Sequence, residues 1–244
     1  YFRVPEAAEL ARSLAARLPE DEPLLAADRR AAARLAAERA RAASDAFRRD
    51  GADWDEMRAL DLPSDTVEGA ILAALPGRVG RLLDIGTGTA RLPELLVPRA
   101  ESVVGVDASR EMLALARARL AERGLGGSVA VRQADMYRLP FADAAFDTVT
   151  VQMVLHYAED PAAVLAEAVR VLAPDGTLLV VDLAAHGRAD VIERHAHRWP
   201  GFDDAAIAGW AGTSGAAAQR LAEVPGPVPV RLWAVRRTPA HASV

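Results

Sequence analysis

Two acids and two glycines lie at spacings that can do chemistry. Asp84-Ile85-Gly86-Thr87-Gly88-Thr89-Ala90-Arg91 follows a short apolar run. Its glycines let the backbone turn tightly and approach a ligand with no Cβ in the way. Asp107 closes a second apolar run, 19 residues after Gly88, where an acid can accept hydrogen bonds from both hydroxyls of a ribose. A G-x-G pair alone is a weak signal, and a nicotinamide-dinucleotide fingerprint needs glycine where this chain has Arg91. Charge separates the alternatives. Dinucleotide loops face a pyrophosphate and avoid acids, whereas Asp84, two residues before Gly86, suits a ligand with a cationic end. A sulfonium and an ammonium, as in S-adenosylmethionine, are the complement of such a strand end.

The elements that must position these residues are legible from pattern. Arg81–Ile85, Ser102–Asp107, Val129–Gln133, Phe146–Gln152 and Thr177–Leu183 read as buried strands. Helices fall between them. Asp65 with Glu68 resembles a capping box opening a helix to about Leu75. Ser109 caps a helix carrying Met112, Leu113, Leu115, Ala116 and Leu120, and Asp160-Pro161 starts another through Leu172. Pro174-Asp175-Gly176 reads as a turn, and Asp190 to about Trp210 as a helical region. Two closing strands near Ala218–Val224 and Val228–Val235, joined by Pro225-Gly226-Pro227, are expected to be antiparallel neighbours. Strand–helix alternation predicts an α/β fold with a doubly wound sheet, whose ligand lies beyond the carboxyl ends of the strands.

Composition sets the outer limits. The 244 residues are 51% hydrophobic and 26% charged, enough for one substantial core, or a core with a helical appendage, and unlike a disordered chain. Basic residues number 29 against 34 acids, a net charge of −5, so nothing global favours nucleic acid. Cysteine is absent, which removes disulfides, thiolate nucleophiles and Cys-ligated metals. No apolar run reaches the ~20 residues that span a bilayer, and the first residues lack a signal-peptide pattern. A cytoplasmic protein without membrane contact is expected.

Asp84 to Arg91, Val104 to Ser109, Arg132-Gln133-Ala134-Asp135-Met136 and Arg170-Val171-Leu172-Ala173-Pro174-Asp175-Gly176 together resemble the successive motifs of class I S-adenosylmethionine-dependent methyltransferases, of the ubiquinone/menaquinone-biosynthesis type. The resemblance runs from about residue 64 onward and implies a Rossmann-like, seven-stranded methyltransferase sheet. It implies S-adenosylmethionine as cofactor and S-adenosylhomocysteine as product. Asp84, Gly86, Thr87 and Gly88 would meet the methionine part and Asp107 the ribose. Ala108 and Met112 would flank the adenine, Asp135 would accept from its amino group, and the Met136 backbone N–H would read a ring nitrogen. The chain departs from the pattern at Ala90, where the loop usually has a third glycine. Alanine is small enough for helix–strand packing, so weakened rather than abolished binding is expected.

Gln152-Met153-Val154-Leu155-His156-Tyr157 would form the wall beside the transferred methyl. Methyl transfer needs alignment more than acid–base help, unless the acceptor must lose a proton. His156 is then the candidate base, or a packing histidine, and Tyr157 either shapes the pocket or donates a proton. His195 and His197, two apart on different faces of a helix, make a poor metal pair, and no metal site is expected. Trp199, Phe202 and Trp210 could line an apolar pocket for a small-molecule acceptor or belong to the core.

Residues 1–62 are rich in Ala, Leu, Arg and Glu and read as a helical region preceding a methyltransferase domain at 63–244. Tyr1-Phe2-Arg3-Val4-Pro5 followed by a helix resembles the last wing strand and dimerisation helix of an ArsR-type regulator. Asp84–Arg91, Arg132–Phe141 and His195-Ala196-His197-Arg198 with Gly201-Phe202 resemble bacterial proteins that fuse such a regulator to a methyltransferase domain. That implies a homodimer through the N-terminal helices, and DNA binding if a winged helix precedes Tyr1, which is not a Met. The alternative function is sensing of S-adenosylmethionine or S-adenosylhomocysteine by an effector domain, which needs differential affinity rather than turnover.

Overall fold

A computed structural model describes residues 62–195 and 197–238. The expected N-terminal helices, up to residue 61, lie outside them. Seven strands form one sheet: β1 Gly80–Ile85, β2 Ala100–Asp107, β3 Val129–Gln133, β4 Phe146–Gln152, β5 Leu172–Leu183, β6 Ala216–Val224 and β7 Val230–Arg237. Their order is β3-β2-β1-β4-β5-β7-β6, parallel except for β7, which runs antiparallel to both β5 and β6. The order reverses between β1 and β4, leaving a crevice beyond their carboxyl ends. The α/β, Rossmann-like doubly wound sheet of seven strands expected from the sequence is the one observed.

Strand alternation builds two cores. Leu82, Leu179 and Val181 join one cluster with Val67 and Ile71 of α1 (Ser64–Ala74), Leu92 and Leu96 of α2 (Arg91–Leu96), and Ala116 and Leu120 of α3 (Arg110–Glu122). Leu83, Leu178 and Val180 face the opposite cluster with Val164, Leu165 and Ala168 of α4 (Pro161–Val171). Side chains one residue apart therefore feed different faces, each buried Leu or Val contributing about 1.5–3 kcal/mol. Ser109 Oγ accepts from Met112 N to cap α3, and Asp160 accepts from Ala163 N to cap α4, with Pro161 in the first turn.

Four local expectations change. The Asp65/Glu68 capping box does not form: Pro63 is the N-cap of α1, without a side-chain cap bond, and Glu68 pairs instead with Arg91. Pro174-Asp175-Gly176 lies within β5, which starts directly after α4 and takes up the irregularity as a shift in its register with β4. The segment from Asp190 to Trp210 is two helices, α5 Ala189–Arg194 and α6 Asp204–Thr213. Pro200 and Gly201 separate them, and Gly201 has a φ of +75°. His195 is the C-cap of α5 and His197 lies beyond it, so they do not share a helix, and their rings are 5.6 Å apart.

Candidate functional site

The first strand ends by driving Asp84 into the protein, at 2% exposure. Its Oδ1 accepts from the Thr150 hydroxyl of neighbouring β4 at 2.6 Å. Burial pushes the carboxyl up to about 6, opposed by the Thr150 hydrogen bond. The chain then turns through Gly86 (φ +71°) and Gly88 (φ +52°), and the N–H groups of Gly86 and Thr87 both donate to Val106 O at 2.9 Å. Thr87 is itself buried. A Cβ on Gly86 would lie 2.6 Å from Val154 Cγ2, so the loop seats directly on the segment after β4. Gly88 differs: a Cβ there meets nothing within 4 Å. Ala90 follows in the left-handed region at φ +61°, which explains why glycine suits this position. The cost of alanine is backbone strain as well as bulk.

Asp107 ends β2 and is bound to the loop. Its Oδ2 accepts from Gly88 N at 2.9 Å and its Oδ1 from Ser109 N at 2.8 Å. Burial raises its pKa against these backbone donors. Ala108 is exposed, and its carbonyl accepts from Gln133 Nε2 at 3.0 Å. Met112 is buried on α3. Beyond β3, Ala134 N donates to Asp107 O at 3.0 Å and brings Asp135 alongside, exposed, its Oδ1 accepting from Tyr137 N. Met136 is half-buried against the core beneath. Asp84, Asp107 and Asp135 thus stand at or just past the carboxyl ends of three adjacent strands.

The wall after β4 starts at half-buried Gln152 and turns at Met153, whose φ of +51° is unusual for a non-glycine residue. A single 3-10 turn, Leu155–Tyr157, follows. His156 is fully buried, and its Nδ1 lies 2.6 Å from Oδ1 of equally buried Asp182, near the end of β5. Asp182 also accepts from Leu155 N at 3.0 Å and Leu183 N at 2.8 Å. The rings of Tyr157 and His197 each lie 4.3 Å from that of His156. The His156 carbonyl accepts from the N–H groups of Arg198 and Trp199, holding that segment down.

The pattern of spacing did not single out Asp182. The signal available was an acid inside the apolar run Leu178–Leu183. Trp199, Phe202 and Trp210 pack on one another with centroids 5.5–6.0 Å apart, against the core cluster under α4, so their role here is packing. Among the described residues, no group of three or more His, Cys, Asp or Glu could hold a metal ion, and no helix is long and apolar enough to cross a membrane.

The residues present fit S-adenosylmethionine. The cradle is open where a Cβ on Gly88 would stand. Asp84 is a buried carboxyl whose desolvation a cation relieves. Asp107 and Asp135 offer carboxylate oxygens, each with lone pairs beyond those their backbone donors use.

Comparison with known proteins points the same way. Residues 83–180 match the family model described as a methyltransferase domain. The chain is 42% identical over 115 residues to the demethylmenaquinone methyltransferase of Thermus thermophilus, covering 46% of this chain and 51% of that protein. It is 36% identical over 110 residues to the phosphatidylethanolamine N-methyltransferase of Cereibacter sphaeroides, covering 45% of this chain and 54% of that one. The chain thus spans about half the length of these relatives. The YcgJ protein of Bacillus subtilis has the same fold, with a TM-score of 0.63 at 19% identity over 71% of this chain and 99% of that chain. So does a SAM-dependent methyltransferase from Aquifex aeolicus, with a TM-score of 0.59 at 22% identity over 75% and 99%.

Proposed function

We propose that this protein transfers a methyl group from S-adenosylmethionine to a small-molecule acceptor. The observation that carries the reading is the row of strand-end acids Asp84, Asp107 and Asp135 around the glycine turn, with open space at Gly88. The match to a methyltransferase domain supports it. Bound there, the cofactor supplies an electrophilic methyl group on a sulfonium. Asp84 compensates positive charge, with Gly86, Thr87 and Gly88 giving backbone access to the methionine part. Asp107 accepts from the ribose, Ala108 and Met112 flank the adenine, and Asp135 with the Met136 N–H reads its edge. Gln152 meets the cofactor beside the transferred methyl, and His156 and Tyr157 form the acceptor side, where alignment of the reacting atoms supplies most of the rate. Calorimetric titration with S-adenosylmethionine and S-adenosylhomocysteine tests this, with Asp107→Ala as control; no heat from either ligand would sink it.

We further propose that residues 1–62 form a helical region that pairs two copies, as in ArsR-type regulator–methyltransferase fusions, with 63–244 as the methyltransferase domain of a cytoplasmic protein. Its support is the sequence Tyr1–Pro5 and the His195–Phe202 motif. DNA contact follows only if a winged helix precedes Tyr1. Sedimentation that finds only monomer would remove the dimer. A preference of ~100-fold for S-adenosylhomocysteine, about 2.7 kcal/mol, would favour ligand sensing over turnover.

A further inference from the structure

We infer that Tyr137 is a positioning residue that makes the acceptor wall, and the segment fastened to it, answer to the adenine end of the cofactor site. It acts through one peptide group, that between Ala158 and Glu159. The inference rests on the methyl-transfer reading above.

That peptide is held from both sides. Its N–H, on Glu159, donates to the Tyr137 hydroxyl at 2.7 Å. Its C=O, on Ala158, accepts from Trp199 Nε1 at 2.9 Å. Tyr137 belongs to the turn after β3 that carries Asp135 and Met136. Its own N–H donates to Asp135 Oδ1 at 3.0 Å, and Asp135 and Arg138 pair across the turn. Trp199 belongs to the segment that the His156 carbonyl holds through the N–H groups of Arg198 and Trp199. The peptide itself follows directly on the 3-10 turn Leu155–Tyr157. Three hydrogen bonds of 3.0 Å or less therefore join, in series, the acid expected to read adenine, the acceptor wall and the segment fastened to it. The N–H and C=O of one amide polarise each other, so loosening either bond weakens the other.

Stability alone gives position 137 little reason to be a tyrosine. Glu159 is exposed, so water can satisfy its N–H and the bond adds little to folding. Helix α4 does not need it either: Asp160 caps α4 with its own carboxylate, and the Tyr137 hydroxyl stands 3.4 Å from Asp160 N. The ring packs on the core cluster beneath, which a phenylalanine would do as well. What the hydroxyl alone achieves is a tie to a residue 22 positions away, from the adenine side of the site to its acceptor side. The Arg198–Glu159 pair at 3.9 Å also reaches Glu159, but that carboxylate is 63% exposed and the pair is weak.

With the turn fixed by contacts of Asp135 and the Met136 N–H to a bound cofactor, the Tyr137 hydroxyl fixes the Ala158–Glu159 peptide. The peptide carbonyl in turn holds the Trp199 indole. The acceptor wall and the Arg198–Trp199 segment thus take their closed form once the adenine end is in place, and the closed form excludes water. Coupling of this kind is reciprocal: a closed acceptor side retains the cofactor, so cofactor binds before acceptor and methylated product leaves before S-adenosylhomocysteine.

The test uses the full chain labelled with nitrogen-15 at tryptophan, as wild type, Tyr137→Phe and Trp199→Phe, with and without saturating S-adenosylhomocysteine. The Trp199 indole signal is the one lost in Trp199→Phe. Trp233 on β7, whose Nε1 donates to Asp204 Oδ1, is the internal reference. In wild type the ligand should shift the Trp199 signal and slow its solvent exchange about fivefold or more, leaving Trp233 unmoved. In Tyr137→Phe, calorimetric affinity should stay within about fivefold of wild type while Trp199 exchange slows less than about twofold. A hydroxyl with a merely structural role would lower the melting temperature and leave the Trp199 response intact. Wild type that binds the ligand without a Trp199 response, or Tyr137→Phe with the full response, overturns the inference. Tyr137→Phe that folds but no longer binds overturns it too, because the hydroxyl then serves the cofactor site directly. A wild type that gives no heat with either cofactor form overturns the underlying methyl-transfer reading instead.

Discussion

Gly88 N donates to Asp107 Oδ2 at 2.9 Å, so the glycine turn after β1 and the acid after β2 are one hydrogen-bonded unit. The acid expected to read the ribose also shapes the loop expected to hold the methionine end. Asp107→Ala therefore removes the proposed ribose contact and frees two backbone donors, those of Gly88 and Ser109. We expect at least a tenfold loss of S-adenosylhomocysteine affinity by calorimetry and about 1–3 kcal/mol of stability by urea unfolding. Lost affinity at unchanged stability would show that the bond to Gly88 carries no weight.

Asp84 gives a pH dependence with a definite sign. Folding raises its pKa from 3.8 to about 6 by burial, so the native state binds more protons than the unfolded one between those values. Its contribution to stability is fully present below the lower value and is lost as pH rises through the upper one, by up to about 3 kcal/mol. Asp84→Asn should flatten that slope and gain stability at neutral pH. Affinity for cationic S-adenosylmethionine should weaken as pH falls below about 6. Binding that stays flat across that window would contradict the role given to Asp84.

The two glycines should fail differently. Gly86→Ala places a Cβ 2.6 Å from Val154 Cγ2 and should lower both the melting temperature and cofactor affinity. Gly88→Ala meets nothing within 4 Å, so its folding cost is the strain of a positive φ, about 1–2 kcal/mol. Its loss of affinity should be much the larger effect. Equal affinity in Gly88→Ala and wild type would show that the ligand does not approach this backbone.

Ala90 sits at φ +61° with no exposed surface. Ala90→Gly relieves roughly 1–2 kcal/mol of left-handed strain against about 0.5–1 kcal/mol of added unfolded-state freedom. The variant should be at least as stable as wild type in urea. Ala90→Val should lose several kcal/mol, because β-branching worsens the strain in a filled core.

Much of this arrangement was legible in the chain. The first five strands end where expected, and in the first four the apolar run stops at a Gly, Asp or Gln that cannot extend it. Ser109 and Asp160 cap as their side chains dictate. Long-range competition hid the rest. Glu68 has the spacing for a capping box, but Arg91, distant in sequence, takes it. The short α2 holds only Arg91–Leu96, too few residues to show a period. Asp182 was read as part of a strand, and only the fold shows that β5 carries it to His156, 26 residues away along the chain. The positive φ of Met153 leaves no trace in residue type at all.

The placement of β7 between β5 and β6 also bears on how the protein is made. Strand β5 pairs with β4 on one side, but its other edge waits for Val230–Arg237, the last of the described strands. During synthesis the ribosome releases β1 to β5 first, and the nascent sheet must hold an open, largely apolar edge until the hairpin through Pro225-Gly226-Pro227 follows. Such an edge is a template for wrong pairing. A message cut short before residue 230 should therefore yield a chain with Asp84, Asp107 and Asp135 present and a strong tendency to aggregate, which makes pairing of β7 a checkpoint on the folding of this sheet.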